Sequence, residues 1–211
     1  MASTGKESLL NLEALEAAPL QRDPFEYVLV PGFLSPENLA KVVDGYPKLK
    51  AGSYPLEEVK STPALNEVIG ALDSPAFEGA IARKFGIDLA GKAKMFSLRG
   101  YCRATDGKIH TDSKDKIITV LLYLNNGWQQ PGGRLRLLRN GTDLSNYVAE
   151  VPPDNGTLLV FKRSDDSWHG HESFEGERRS IQMNWMTSEG RRGFHKLRHQ
   201  ISARLKKLVT A

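Results

Sequence analysis

The chain has 211 residues, 40% of them hydrophobic and 26% charged, with a net charge of +4. That length suits one compact domain with a real core, and the composition excludes an intrinsically disordered chain. No apolar run approaches the roughly 20 residues of a membrane helix, so no membrane partner is expected.

The first segment, residues 1–93, reads as a mainly helical scaffold around one short strand. Met1 to Leu20 is acidic and helix-prone, without the basic start and apolar stretch of a secretory signal. Together with a lone Cys102, which has no partner for a disulfide within the chain, this predicts a cytoplasmic location. Residues 25–30 are a strand candidate. Ser35-Pro36 supplies an N-cap followed by proline at the first helical position, and Leu39, Val42 and Val43 carry that helix to about Tyr46. A second cap at Ser74-Pro75 opens a helix with Phe77, Ile81 and Phe85 on one face, ending at Gly86.

From residue 94 to 186 the pattern changes to short alternating or continuously apolar runs separated by turn residues, the signature of an all-β unit. Eight strands are expected, at about 94–99, 107–111, 116–124, 133–138, 147–151, 157–161, 166–172 and 178–186. Eight strands suit a closed barrel or a two-sheet jelly roll with a ligand-sized mouth. In the last one, Ile181, Met183 and Trp185 point one way, and Arg178, Ser180, Gln182 and Asn184 the other. The polar row faces either solvent or a polar, anionic ligand inside the barrel.

Residues 191–211 hold seven of the 29 Lys and Arg and no Asp or Glu, so the rest of the chain carries 22 basic against 25 acidic side chains. Such a tail could serve nucleic acid. Phe194, Leu197, Ile201, Leu205 and Leu208, however, recur at helical spacing, and no stacking aromatics are interleaved. The expectation over 187–211 is a basic amphipathic C-terminal helix, with no nucleic-acid partner.

The chemistry starts at His110-Thr111-Asp112, where two metal-ligand types two residues apart share one strand face. Alone, the pair reads equally well as a polar pair at a strand end. Ser167-Trp168-His169-Gly170-His171 offers a third ligand, and His169 and His171 have the same strand parity. Two histidines and a carboxylate leave three open positions on octahedral iron(II), while three protein ligands also suit catalytic zinc. Arg178, nine residues after His169, bears on that choice, because a guanidinium grips a carboxylate through two parallel hydrogen bonds and Ser180 lies on the same face. A dicarboxylate chelating the metal at one end would be anchored at the other.

The run from His110 to Met186 resembles the catalytic core of the 2-oxoglutarate/iron(II) dioxygenases, especially the prolyl 4-hydroxylase-like branch. The matching pieces are HTD, ITVLLYLNNGW, PGGRLRLL, VPPDNGTLLVFKRSDDSWHGH and RRSIQMNW, in the family's order and with similar spacing. The resemblance implies a mainly β double-stranded β-helix, a jelly-roll or cupin-like barrel, with N-terminal helices and a C-terminal helix. It implies iron(II) held by His110, Asp112 and His169, with His169 preferred over His171 because its spacing to Arg178 fits the family. It further implies that Arg178 and Ser180 bind the distal carboxylate of 2-oxoglutarate and that Tyr123 lines the cosubstrate pocket. A looser match puts Arg99 and Tyr101 at the mouth. Dioxygen would be the second cosubstrate, with ascorbate as an optional reductant. The implied activity is hydroxylation of a C–H bond in an amino-acid, peptide or small-molecule substrate, releasing succinate and CO2.

Three alternatives stand beside this expectation. A nucleic-acid demethylase of the same superfamily carries a second arginine six residues after the first, where this chain has Asn184. A cupin-like, non-oxidative metal-binding module would lack a ligand, and none is missing. A zinc hydrolase leaves Arg178 and Ser180 without a task. Segments 48–62, 102–108 and 139–147 are expected to select the substrate, and no motif addresses oligomeric state.

Overall fold

A computed structural model describes residues 9–187. The helix expected over 187–211, including Phe194, Leu197, Ile201, Leu205 and Leu208, falls outside the described residues apart from its first position. The elements in chain order are α1 (Leu12–Ala17), β1 (Tyr27–Val30), α2 (Pro36–Asp44), β2 (Tyr54–Pro55), a 3-10 turn (Leu56–Glu58), α3 (Pro63–Asp73) and α4 (Pro75–Phe85). They continue with β3 (Ala93–Cys102), β4 (Lys116–Tyr123), β5 (Leu135–Leu138), β6 (Tyr147–Val151), β7 (Leu158–Lys162), β8 (His169–Gly170) and β9 (Gly176–Met186).

Three helices begin in the same way. Ser35, Thr62 and Ser74 each accept a hydrogen bond from the backbone N–H three residues on, and each is followed by proline. The hydroxyl satisfies one of the free N–H groups of the first turn, and proline has no N–H to leave free. Gly86 closes α4 in the left-handed conformation, φ 61°.

The strands form two antiparallel sheets, of order β1-β7-β4-β9-β3-β2 and β6-β5-β8. Strand β9 sits inside the larger sheet, laddered to β3 on one side and β4 on the other along most of its length. Its alternation divides the molecule. Ile181, Met183 and Trp185 face the helices and join the main core with Leu65, Leu72, Phe77 and Ile81, and the Trp185 ring stacks on Phe77 at 6.2 Å. A smaller apolar cluster, including Tyr27, Tyr123, Leu135, Val151, Leu159 and Phe161, joins the two sheets. The result is a mainly β double-stranded β-helix with helices packed on the outer face of its larger sheet.

Several elements differ from the sequence expectation. Residues 107–111 are not a strand: His110 alone pairs, in a bridge to His169, because the preceding loop is held by longer-range contacts such as His171 N–H to Gly107 O at 2.9 Å. The strand expected over 166–172 shrinks to His169–Gly170, since Ser167 Oγ donates to Ser164 O and accepts from Ser164 N–H in a tight turn. Helix α3 and the short β2 were not expected, although Thr62-Pro63 repeats the cap signal read at the other two helices. No helix among the described residues is long and apolar enough to cross a membrane.

Because Phe77 is fully buried against Trp185, the Phe77→Ala protein should lose about 3–5 kcal/mol of stability. Urea unfolding measures this, and a loss under about 1 kcal/mol would contradict the packing described.

Candidate active site

The polar face of β9 opens onto a cavity of about 450 Å³. At one end, the backbones of His110 and His169 exchange two hydrogen bonds of 3.0 Å, which brings two side chains from distant parts of the chain together with their rings 4.3 Å apart. Each imidazole has its Nδ1 beside a carbonyl oxygen: Lys108 O at 2.8 Å for His110 and Ser167 O at 2.9 Å for His169. A carbonyl only accepts, so Nδ1 carries the proton and Nε2 is left with its lone pair. Asp112 completes the group, with one donor atom from each of the three residues lying within 4.8 Å of the others. These three side chains could hold one metal ion.

The Asp112 carboxylate is held by its neighbours. Oδ1 accepts from Lys116 Nζ at 2.7 Å and Oδ2 from Thr119 Oγ1 at 2.5 Å. Burial alone would raise its pKa, but Lys116, His169 and these hydrogen bonds outweigh it and hold the pKa below the ordinary value. Thr119 Oγ1 also lies 3.0 Å from the Asn184 amide. Its single hydrogen serves Asp112. With the Asn184 amide turned so that Nδ2 faces Thr119, the hydroxyl accepts there, and a buried Nδ2 that otherwise has no partner gains one.

At the other end lie three buried polar groups without hydrogen-bond partners: Arg178 Nη2, Ser180 Oγ and Tyr123 Oη. Arg178 is positioned by Nε–H donating to Gly133 O at 2.8 Å and by its guanidinium lying 5.3 Å over the Tyr123 ring. It is close to the Tyr123 hydroxyl but lacks hydrogen-bond geometry with it. Burial raises the Tyr123 hydroxyl's pKa, Arg178 partly opposing it, so the phenol stays protonated. A buried donor without an acceptor costs about 1–3 kcal/mol, so a cluster of such groups marks a place for a polar ligand. Leu121, Leu135 and Phe161 supply the apolar wall.

The structure thus brings His110, Asp112 and His169 together at one end and Arg178, Ser180 and Tyr123 at the other. His171 also lines the cavity but points elsewhere, with its Nε2 3.9 Å from Cys102 Sγ. Arg99 lines the cavity; Tyr101 does not, and its hydroxyl instead donates to Glu175. A register shift between Arg99 and Tyr101 breaks their common parity. Sequence reading passed over Lys116, Thr119 and Gly133. Thr119 shares strand parity with Tyr123, which is a usable signal, whereas Lys116 reaches the site through a register shift before Ile118. Gly133 was read only as the start of the strand expected over 133–138 and as part of PGGRLRLL. Its φ of 77° and the Trp128 ring, 2.8 Å from where a Cβ would stand, admit only glycine beside Arg178.

Residues 97–187 match the family model described as 2OG-Fe(II) oxygenase superfamily. This segment is a 2OG-Fe(II) oxygenase domain. Solved structures similar to the chain include a prolyl-4-hydroxylase from Pseudomonas putida, with 19% identity, TM-score 0.56, and coverage of 83% of this chain and 96% of that one. A Trichoplax adhaerens prolyl hydroxylase bound to a hypoxia inducible factor peptide is 17% identical, with TM-score 0.59 and coverage of 85% and 90%. HygX from Streptomyces hygroscopicus, with nickel and 2-oxoglutarate bound, is 11% identical, with TM-score 0.54 and coverage of 77% and 82%. At these identities the likeness is one of fold. No curated protein matches the chain in sequence. Oxygenases of this superfamily use iron(II), 2-oxoglutarate and dioxygen, and the two ends of the cavity suit the first two: a His-Asp-His group for the metal and unpartnered buried donors for a carboxylate.

Burial brings His169 down to about pKa 4, helped by nearby His110, and burial with nearby Arg178 does the same to His171. Between the ordinary value of 6.5 and about 4, the unfolded chain binds protons that these folded side chains refuse. The metal-free oxygenase domain should therefore lose stability as pH falls through that window, by on the order of 3 kcal/mol per histidine. Urea unfolding at several pH values should show a shallower decline for His171→Gln than for wild type, and equal slopes would contradict the assignment.

Proposed function

We propose that His110, Asp112 and His169 bind iron(II), that Arg178, Ser180 and Tyr123 bind the distal carboxylate of 2-oxoglutarate, and that the domain hydroxylates a C–H bond of an amino-acid, peptide or small-molecule substrate. One observation carries the reading: a possible metal triad and three buried, unpartnered polar groups face the same cavity. Iron and 2-oxoglutarate, when bound, would supply an oxidant by coupling decarboxylation to succinate with oxygen transfer to substrate.

The chain's own residues orient and exclude. The carbonyls of Lys108 and Ser167 fix both imidazole tautomers, so that each Nε2 can ligate. Thr119, backed by Asn184, aims the Asp112 carboxylate. Leu121, Leu135 and Phe161 keep water from the wall beside the ligands. The substrate class rests on the fold likeness to prolyl hydroxylases. The demethylase reading loses support at Asn184, which is fully buried and engaged with Thr119 rather than open to a ligand. A reducing cytoplasm is part of the proposal, supported by a buried, free Cys102 that is the chain's single cysteine.

Iron(II) and 2-oxoglutarate added without oxygen should give a visible charge-transfer band, and air should then produce succinate. His110→Ala should abolish both; absence of the band in wild type, or its persistence in the variant, would overturn the proposal. Thr119→Val, which removes the hydroxyl aiming Asp112, should weaken metal binding by roughly 10- to 100-fold in a metal titration.

A further inference from the structure

Arg99 faces the cavity from β3 with its guanidinium in no hydrogen bond or ion pair among the described residues. The nearby carboxylate, Asp106, is bonded to the backbone and side chain of Arg103 instead. Yet a second guanidinium, Arg178, lies close enough to depress Arg99's pKa, after burial itself. Two like charges in one part-buried place repel, and the repulsion turns into attraction when an anion sits between them.

The sheet register says which anion. Ser180 is paired with Arg99 on β3 and with Tyr123 on β4, so Arg99, Ser180 and Tyr123 form one row across three strands, on one face. Tyr46 fixes that row from behind, its hydroxyl 3.0 Å from the carbonyls of both Arg99 and Ser180. Arg178 lies two residues along β9. Opposite it the β3 register shifts between Arg99 and Tyr101. The metal end is at a different row, where Thr119 pairs with Asn184. Arg99 therefore belongs to the end holding the unpartnered Ser180 and Tyr123 hydroxyls, away from the triad where a target C–H bond would lie.

We propose that Arg99 is a second guanidinium on the distal carboxylate of 2-oxoglutarate, which is held between Arg178 and Arg99. The inference rests on the cosubstrate reading given above. It makes Arg99 a specificity-determining residue that favours a 2-oxo acid with a distal carboxylate over one without. A carboxylate of the primary substrate is the competing occupant, and measuring cosubstrate binding without substrate separates the two.

The test is calorimetric titration of the manganese(II)-loaded protein with 2-oxoglutarate and with 2-oxopentanoate, which has the same chelating end and no distal carboxylate. Arg99→Met should weaken 2-oxoglutarate by about 10- to 100-fold and leave 2-oxopentanoate unchanged, with Arg99→Lys falling between. Unchanged 2-oxoglutarate affinity in Arg99→Met, while Arg178→Met still weakens it, would overturn this inference and leave the cosubstrate reading standing. Equal losses for both ligands in Arg99→Met would assign the residue a structural role and also overturn it. Wild-type protein that binds no 2-oxoglutarate would remove the reading and the inference together.

Discussion

The backbone ladder of β9 is the constraint on which the cavity depends. A strand hydrogen-bonded on both sides cannot slip or rotate without breaking two sets of bonds, and a slip of one residue would exchange its faces. The apolar face, with Met183 and Trp185 wholly buried against the helices, makes such a slip prohibitive. Packing on one side of the sheet therefore dictates where Arg178, Ser180, Gln182 and Asn184 point on the other. The helices touch none of the site chemistry, yet they set its geometry.

A second constraint is the pairing of segments far apart in sequence. His110 has no strand of its own; it is held by the two backbone bonds it exchanges with His169, on one of the shortest strands. Likewise Gly133 O reaches Arg178 from a turn 45 residues earlier. The loops are thus shaped by the site they enclose, and their own local preferences matter less.

This explains what could be read from sequence. Elements governed by local chemistry were legible: the Ser74-Pro75 cap and Gly86 bracket α4 at Pro75–Phe85, and β6 occupies 147–151 as expected. The alternation of β9 was legible too, because apolar and polar residues separate cleanly by parity. Residues 107–111 misled because Ile109 and His110 look like strand residues while their conformation comes from contacts with 169–171. Lys116 could not be placed by parity, since a register shift lies between it and the rest of β4. The three hydroxyl and guanidinium groups without partners are invisible in sequence, where nothing distinguishes a satisfied tyrosine from an unsatisfied one.

The pairing of Lys116 with Asp112 reaches further. A buried carboxylate left alone would be driven to take up a proton, and its site would relax around the neutral form. Here an ammonium 2.7 Å away supplies a positive charge from within the chain itself. The carboxylate is kept ionised and aimed by neighbours in the same chain. On the proposed reading, the carboxylate that would ligate iron is in place before the ion arrives.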